Sequence, residues 1–197
     1  MSTSDIGLQY DLIAEWWNRY HKDSNYGVAA LERALAFARR GGAALDVGCG
    51  SGGRLFGRLQ AHGLCVSGID ASKKMIELAK QKHPEAAFTK MNVIDWKSSS
   101  LFDFILSWDC LFHLPLGQQA PVLTKLCESL RAGGVLLYSF GDAQGTHHDS
   151  WRGQAFRYSS LGVTQNLEIL HRAGMKLRHL EIDQCPEKHV YAIAQKL

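Results

Sequence analysis

Apolar positions in the first forty residues recur at helical spacing, first at Ile6, Tyr10, Ile13 and Trp17 and again at Leu31, Ala34, Leu35 and Ala38. Steps of three and four put such side chains on one face of a 3.6-residue helix, so the pattern predicts two helices. Gly41-Gly42 stops the second, and the polar, turn-rich stretch from His21 to Gly27 separates them. From Ala43 short apolar runs alternate with amphipathic segments, as expected of parallel strands joined by crossover helices. Strands are predicted at Ala43 to Val47, Leu64 to Ile69, Ala87 to Met91, Phe102 to Ser107 and Val135 to Phe140. One connecting helix spans Arg54 to His62. Another follows a Ser72 cap through Met75, Ile76 and Ala79 to His83-Pro84, and a third carries Leu123, Leu126, Cys127 and Leu130 and ends at Gly133-Gly134. Residues Gly141 to Ser160 show no period and read as a long loop overhanging the site. A helix from Val163 to Ala173 and two strands, Lys176 to Asp183 and His189 to Ala194, complete the chain, and the short turn around Pro186 requires those strands to be antiparallel.

The class is therefore α/β. A length of 197 residues suits one domain, 1–197, divided into an N-terminal helical lid (1–42), a core (43–140) and a closing loop, helix and strand pair (141–197). The 22 basic against 19 acidic residues are scattered, which gives no electrostatic case for nucleic acid. No apolar run is long enough to span a bilayer, and Asp5 and Glu15 stand where a signal segment would be basic and then apolar, so a cytoplasmic location and no membrane partner are expected. Cys49, Cys65, Cys110, Cys127 and Cys185 contain no Cys-x-x-Cys pair and are expected to be reduced thiols.

Candidate chemistry begins at Asp46-Val47-Gly48-Cys49-Gly50-Ser51-Gly52-Gly53, between the first strand and its helix. Glycines there admit a tight turn and let a ligand lie against backbone at a helix N-terminus. Gly48, Gly50 and Gly53 also satisfy the dinucleotide spacing, and Asp70 stands where such a site has its acidic residue, so an NAD(P)-dependent oxidoreductase competes with other nucleoside binders. Asp46 shifts the balance, because a carboxylate facing the ligand suits an ammonium and opposes a pyrophosphate.

These residues resemble the class I S-adenosylmethionine-dependent methyltransferase family. Asp46 to Gly52 looks like its first motif, and Gly68-Ile69-Asp70 like the acidic end of its second strand. Lys90 to Trp96 looks like its third motif, with Asn92 where the family usually has Asp. Phe102 to Ser107 and Leu130 to Leu137 complete a likeness over residues 43 to 140. The resemblance implies a Rossmann-like, seven-stranded, mostly parallel sheet with an antiparallel C-terminal strand pair and two N-terminal lid helices. It implies S-adenosylmethionine as cofactor, with Asp70 accepting the ribose hydroxyls and Asn92 and Val93 bordering the adenine through an amide oxygen and a backbone group. Asp46, Gly48, Cys49, Gly50, Ala71, Met75, Ser107 and Trp108 would complete the cofactor site. A non-catalytic module that binds S-adenosylmethionine is the third reading.

Methyl transfer from a sulfonium needs alignment and exclusion of water more than acid–base chemistry. Where a base is required, His113, just past the fourth strand, is the candidate. Tyr10, Trp17, Tyr20 and Tyr26 are candidate lid and substrate residues, with Tyr10 and Trp17 on one helix face and Trp16 and Tyr20 on the next. One pair is expected to be buried and the other near the cleft. His147-His148-Asp149 lacks a further ligand at a recognisable spacing, so no metal is expected. The segment after strand four lacks the Asp/Asn-Pro-Pro-Tyr/Phe run of enzymes that methylate amino groups of DNA or protein amides, which leaves a small molecule as the acceptor.

Overall fold

The computed structural model describes residues 3–98, 100–184, 186 and 188–197; Cys185 lies outside them. Helices α1 (Thr3–Tyr20) and α2 (Val28–Leu35) precede β1 (Ala43–Val47), and α3 (Arg54–Ala61), β2 (Cys65–Asp70), α4 (Lys73–Lys82), β3 (Ala87–Lys90) and β4 (Phe102–Ser107) follow. A 3-10 turn over Leu111–His113 leads into α5 (Leu116–Glu128), β5 (Leu130–Gly141), β6 (Gln144–Trp151), β7 (Gln154–Leu161), α6 (Gly162–Arg172), β8 (Met175–Asp183) and β9 (His189–Lys196). The main sheet has the order β3-β2-β1-β4-β5-β9-β8. Its first five strands are parallel, and β9 pairs antiparallel with both β5 and β8.

Strand alternation sorts the core into two layers. Ala44, Phe104, Leu106, Val135 and Leu137 meet Leu31 of α2 and Phe56 and Leu59 of α3 on one face. Their sequence neighbours Leu45, Val47, Ile105, Leu136 and Tyr138 meet Leu123 and Leu126 of α5 and Leu170 of α6 on the other. Parallel strands covered on both faces read as unbroken apolar runs, which is why β1, β4 and β5 stand out in the sequence. Successive strands run outward from β1 on one side and from β4 on the other. The order in which parallel strands are added therefore reverses between β1 and β4, and loops diverging at such a point leave a crevice.

Three expectations are corrected. Residues 141–160 are not a loop but mostly an antiparallel hairpin of β6 and β7, turned at Arg152 (φ 50°) and Gly153 (φ 74°). Two successive positive φ values match the twist of the flanking strands. The hairpin is silent in the sequence because β6 is exposed along nearly its whole length and so lacks an apolar period. The helix expected to reach Gly133-Gly134 ends at Glu128, and Leu130, which continued its period, instead starts β5 and pairs with Phe102. Helix α2 also stops short of Gly41-Gly42, at Leu35.

Candidate cofactor and acceptor site

The C-terminal ends of β1, β2 and β4 open into one cavity, with α1 as a wall. Gly48 and Cys49 both donate backbone N–H bonds to the Ile69 carbonyl, at 2.8 and 3.1 Å, which pins the glycine loop against the end of β2. Gly50 has a left-handed backbone (φ 53°), and a Cβ built on it would meet no atom within 4 Å, so the missing side chain leaves open space on the cavity side of the loop. Asp70 at the end of β2 accepts N–H bonds from Gly50 at 2.9 Å and Ser72 at 2.8 Å.

Asp46 and Asp70 face the cavity as two buried carboxyl groups. Burial, and then the charge of Asp70, pushes the Asp46 carboxyl up to about 8, and no hydrogen bond among the described residues offsets this. Burial raises Asp70 to about 6 against the opposing pull of its two backbone donors. Two buried carboxylates in one cavity are unfavourable unless they are neutralised, and a cationic ligand would do so. A diphosphate would add to the repulsion.

The wall opposite the sheet is built by α1. Gly7 packs so closely on Ala71 that a Cβ would stand 2.5 Å from the Ala71 carbonyl oxygen. Asp11 of the same helix accepts the Lys74 N–H at 2.9 Å and the Ser72 hydroxyl, placing a carboxylate on the N-terminus of α4, where the helix dipole favours it. Ser72 caps α4 by accepting the Met75 N–H at 3.1 Å. On the far side, Lys125 donates to the Val93 and Ile94 carbonyls at 2.7 and 2.9 Å and holds the Asn92-Val93 turn in place.

Of the residues singled out in the sequence, Asp46, Gly48, Cys49, Gly50, Asp70, Ala71, Met75, Asn92, Val93 and Trp108 all line this cavity, as do Tyr10, Trp17 and His113. The Asn92 side-chain oxygen already accepts the Ile94 N–H at 3.0 Å, which leaves one lone pair and the amide NH2 for a ligand. Ser107, Tyr20 and Tyr26 are not among the lining residues. Ser107 is fully buried, and its hydroxyl lies toward the Cys110 thiol. Tyr20 is 66% exposed. It stacks on Trp16 outside the cavity at 4.4 Å, and Arg152 of the hairpin lies over Trp16 at 4.3 Å. The expectation of one buried aromatic pair is therefore corrected: Tyr10 and Trp17 reach the cavity, and the other pair is a partly exposed outer stack.

His113 Nε2 is 2.9 Å from the Tyr10 hydroxyl, and Nδ1 is 3.3 Å from the Arg157 carbonyl. A carbonyl can only accept, so Nδ1 carries the proton and Nε2 accepts from Tyr10. Burial lowers the imidazole to about 4 and outweighs the Arg157 carbonyl and Asp109, so the ring is neutral near pH 7. His147, His148 and Asp149 lie on exposed β6, where strand alternation puts His148 on the face opposite its two neighbours. Cys49, Cys65, Cys110 and Cys127 are free thiols.

Sequence reasoning missed Arg54 and Asp109, which both line the cavity. Arg54 was visible only as the first residue of the helix after the glycine loop, and Asp109 only as an acidic residue just past β4.

A parallel sheet with a glycine loop after β1 and acidic residues ending β1 and β2 defines a nucleoside-binding α/β protein of the methyltransferase type. Residues 44–134 match the family described as methyltransferase domain. The chain is 32% identical over 142 residues to a ubiquinone biosynthesis O-methyltransferase of Coxiella burnetii, covering 66% of this chain and 58% of that protein. The chain thus spans somewhat under three fifths of the length of the curated relative it matches. A TehB-like S-adenosylmethionine-dependent methyltransferase from Corynebacterium glutamicum superposes with a TM-score of 0.69 at 26% identity, covering 96% of this chain and 98% of that one. A magnesium protoporphyrin IX methyltransferase from Synechocystis, solved with S-adenosylmethionine bound, shares the fold at a TM-score of 0.75 and 17% identity, covering 100% and 98%. Residues 44–134 thus carry the match to the methyltransferase domain, and the chain has the fold of S-adenosylmethionine-dependent methyltransferases.

Proposed function

We propose that this protein binds S-adenosylmethionine in the cavity at the ends of β1, β2 and β4 and transfers its methyl group to a small-molecule acceptor held between α1 and β4. The observation that carries this reading is the pair of buried carboxylates, Asp46 and Asp70, facing one cavity: among the described residues neither forms an ion pair, and the cavity's Arg54 donates instead to the Tyr26 carbonyl. Asp70 would hold the ribose hydroxyls. Asn92 and Val93 would border the adenine, between the Met75 side chain and the Ala71 backbone. Asp46 with the Gly48-Cys49-Gly50 backbone would take the methionine end, whose ammonium and sulfonium match the site's charge. Ser107 would act from behind, supporting the end of β4 beneath Trp108.

When bound, the cofactor supplies an electrophilic methyl group with a good leaving group attached. What remains for the chain is to align the acceptor and keep water out. Tyr10 and Trp17 of α1 and Trp108, just past β4, would supply the apolar walls, and neutral His113 would fix the Tyr10 hydroxyl at the acceptor end. His113 needs no proton transfer of its own for this role. Relatives named for small substrates, such as the ubiquinone biosynthesis enzyme and a trans-aconitate 2-methyltransferase of Rhizobium rhizogenes, favour a small acceptor. The reading is of a cytoplasmic enzyme, in keeping with its free thiols.

Calorimetric titration separates this from the dinucleotide reading. S-adenosylmethionine and S-adenosylhomocysteine are expected to bind, and NADH and NADPH to give no heat. Binding of either nicotinamide cofactor without S-adenosylmethionine would reverse the assignment.

A further inference from the structure

Just past the end of β4 lies a second polar constellation, separate from the residues assigned above to the cofactor. Asp109 lines the cavity with a left-handed backbone (φ 54°), a conformation that non-glycine residues keep only where surrounding contacts enforce it. Those contacts come from three places. The Asp109 N–H donates to Ser139 Oγ of β5 at 2.8 Å. Its Oδ1 accepts from Ser139 Oγ at 3.2 Å, from the Tyr26 hydroxyl between α1 and α2 at 3.2 Å, and from His189 Nε2 of β9 at 2.9 Å. His189 Nδ1 in turn bonds Asp183 at the end of β8. Both imidazole nitrogens face carboxylates, which is the arrangement of an imidazolium donating twice. Burial opposes that charge, but the two carboxylates outweigh it and raise the His189 titration above its ordinary value.

One carboxylate oxygen, Oδ1, is saturated, whereas no donor among the described residues reaches Oδ2. His113, by contrast, has both nitrogens occupied within the protein. We propose that Asp109 is the acceptor-binding carboxylate, its free Oδ2 taking a hydrogen bond from an O–H or N–H of the methyl acceptor, with His189 and Asp183 as the residues that position it. The inference rests on the methyltransferase reading and deepens it: the acceptor is a flat molecule carrying a hydrogen-bond donor, seated among the Tyr10, Trp17 and Trp108 rings. Tyr26 links the same carboxylate to the α1–α2 connection, so donor binding and the placement of that connection are joined. Arg54 of α3 and His21 of the α1–α2 connection, on the cavity wall, also feel the Asp109 charge, as do Tyr10 of α1, Cys110 and His113 after β4, and Tyr158 of β7.

The test uses the full chain loaded with S-adenosylhomocysteine and two matched probes, phenol and anisole, which differ in the donor proton. Phenol is expected to bind about tenfold or more tightly than anisole, since a hydrogen bond to a charged oxygen distinguishes them. Asp109→Asn should erase the preference while leaving S-adenosylhomocysteine affinity unchanged. Imidazole NMR adds a readout that a purely structural role would not move: phenol, but not anisole, should shift the His189 titration midpoint. Asp183→Asn, which leaves the cavity wall intact, should lower that midpoint and weaken the preference. Equal binding of the two probes, binding of neither, or a preference that survives Asp109→Asn overturns the proposal while S-adenosylhomocysteine still binds. Failure of S-adenosylhomocysteine to bind the wild-type chain sinks the cofactor reading and this proposal with it.

Discussion

Asp46 and Asp70 are acidic side chains whose burial makes them hold protons that free carboxylates would have lost. With Asp46 pushed up to about 8, most of it is protonated at pH 7 in the ligand-free protein. A cation placed beside it favours the carboxylate, so binding must expel that proton. Titrating S-adenosylmethionine at pH 7 in two buffers of different ionisation enthalpy should give heats that differ by about one released proton per site. Asp46→Asn should abolish the difference, and identical heats for the wild type would contradict the assignment. These two carboxylates and the intervening glycines were legible in the sequence because they sit in short local runs at strand ends. Asp109, His189 and Asp183 were not, because 80 residues separate Asp109 from its histidine partner and only the sheet order, β4-β5-β9-β8, brings the strands that carry them close together.

Elements with one buried face announced themselves, and those without one did not. Helices α3 and α4 and the five parallel strands were read closely because their apolar residues face the core layers. The β6–β7 hairpin escaped because β6 has almost no buried side to report, and the end of α5 was misplaced because Leu130 fits a helical and a strand period alike. Helix α1 is the element most directly tied to binding, and its seat depends on Gly7. Gly7→Val would drive a side chain into the Ala71 carbonyl, and overpacking of this kind costs about 1–3 kcal/mol. The expected result is S-adenosylmethionine affinity reduced about fivefold to a hundredfold, with faster hydrogen exchange confined to α1. Unchanged affinity with α1 still protected would mean that the helix does not form the cofactor wall.

For the molecule as a whole, the ionisable groups predict how stability follows pH. Asp46 and His189 both have raised values in the fold, so the native state binds more protons than the unfolded chain above pH 6.5. Their stabilising contribution is present at lower pH and is lost as pH rises through the folded values. His113, lowered to about 4, acts below 6.5 in the opposite sense, because the unfolded chain takes up its proton first as pH falls. The melting temperature of the ligand-free protein should therefore decline from pH 6.5 to 8, and saturating S-adenosylmethionine should flatten that decline. A ligand-free profile that rises over this interval would show that the buried carboxylates are neutralised from within the chain. The sheet order places the cavity where the strand order switches between β1 and β4, and the binding expected there follows from two acids meeting in it. The most direct measurement is a crystal structure with S-adenosylhomocysteine: the account predicts the ribose hydroxyls within hydrogen-bond reach of Asp70 and the amino group at the Asp46 end of the glycine loop. A ligand lying elsewhere, or either carboxylate turned away from it, would contradict the account.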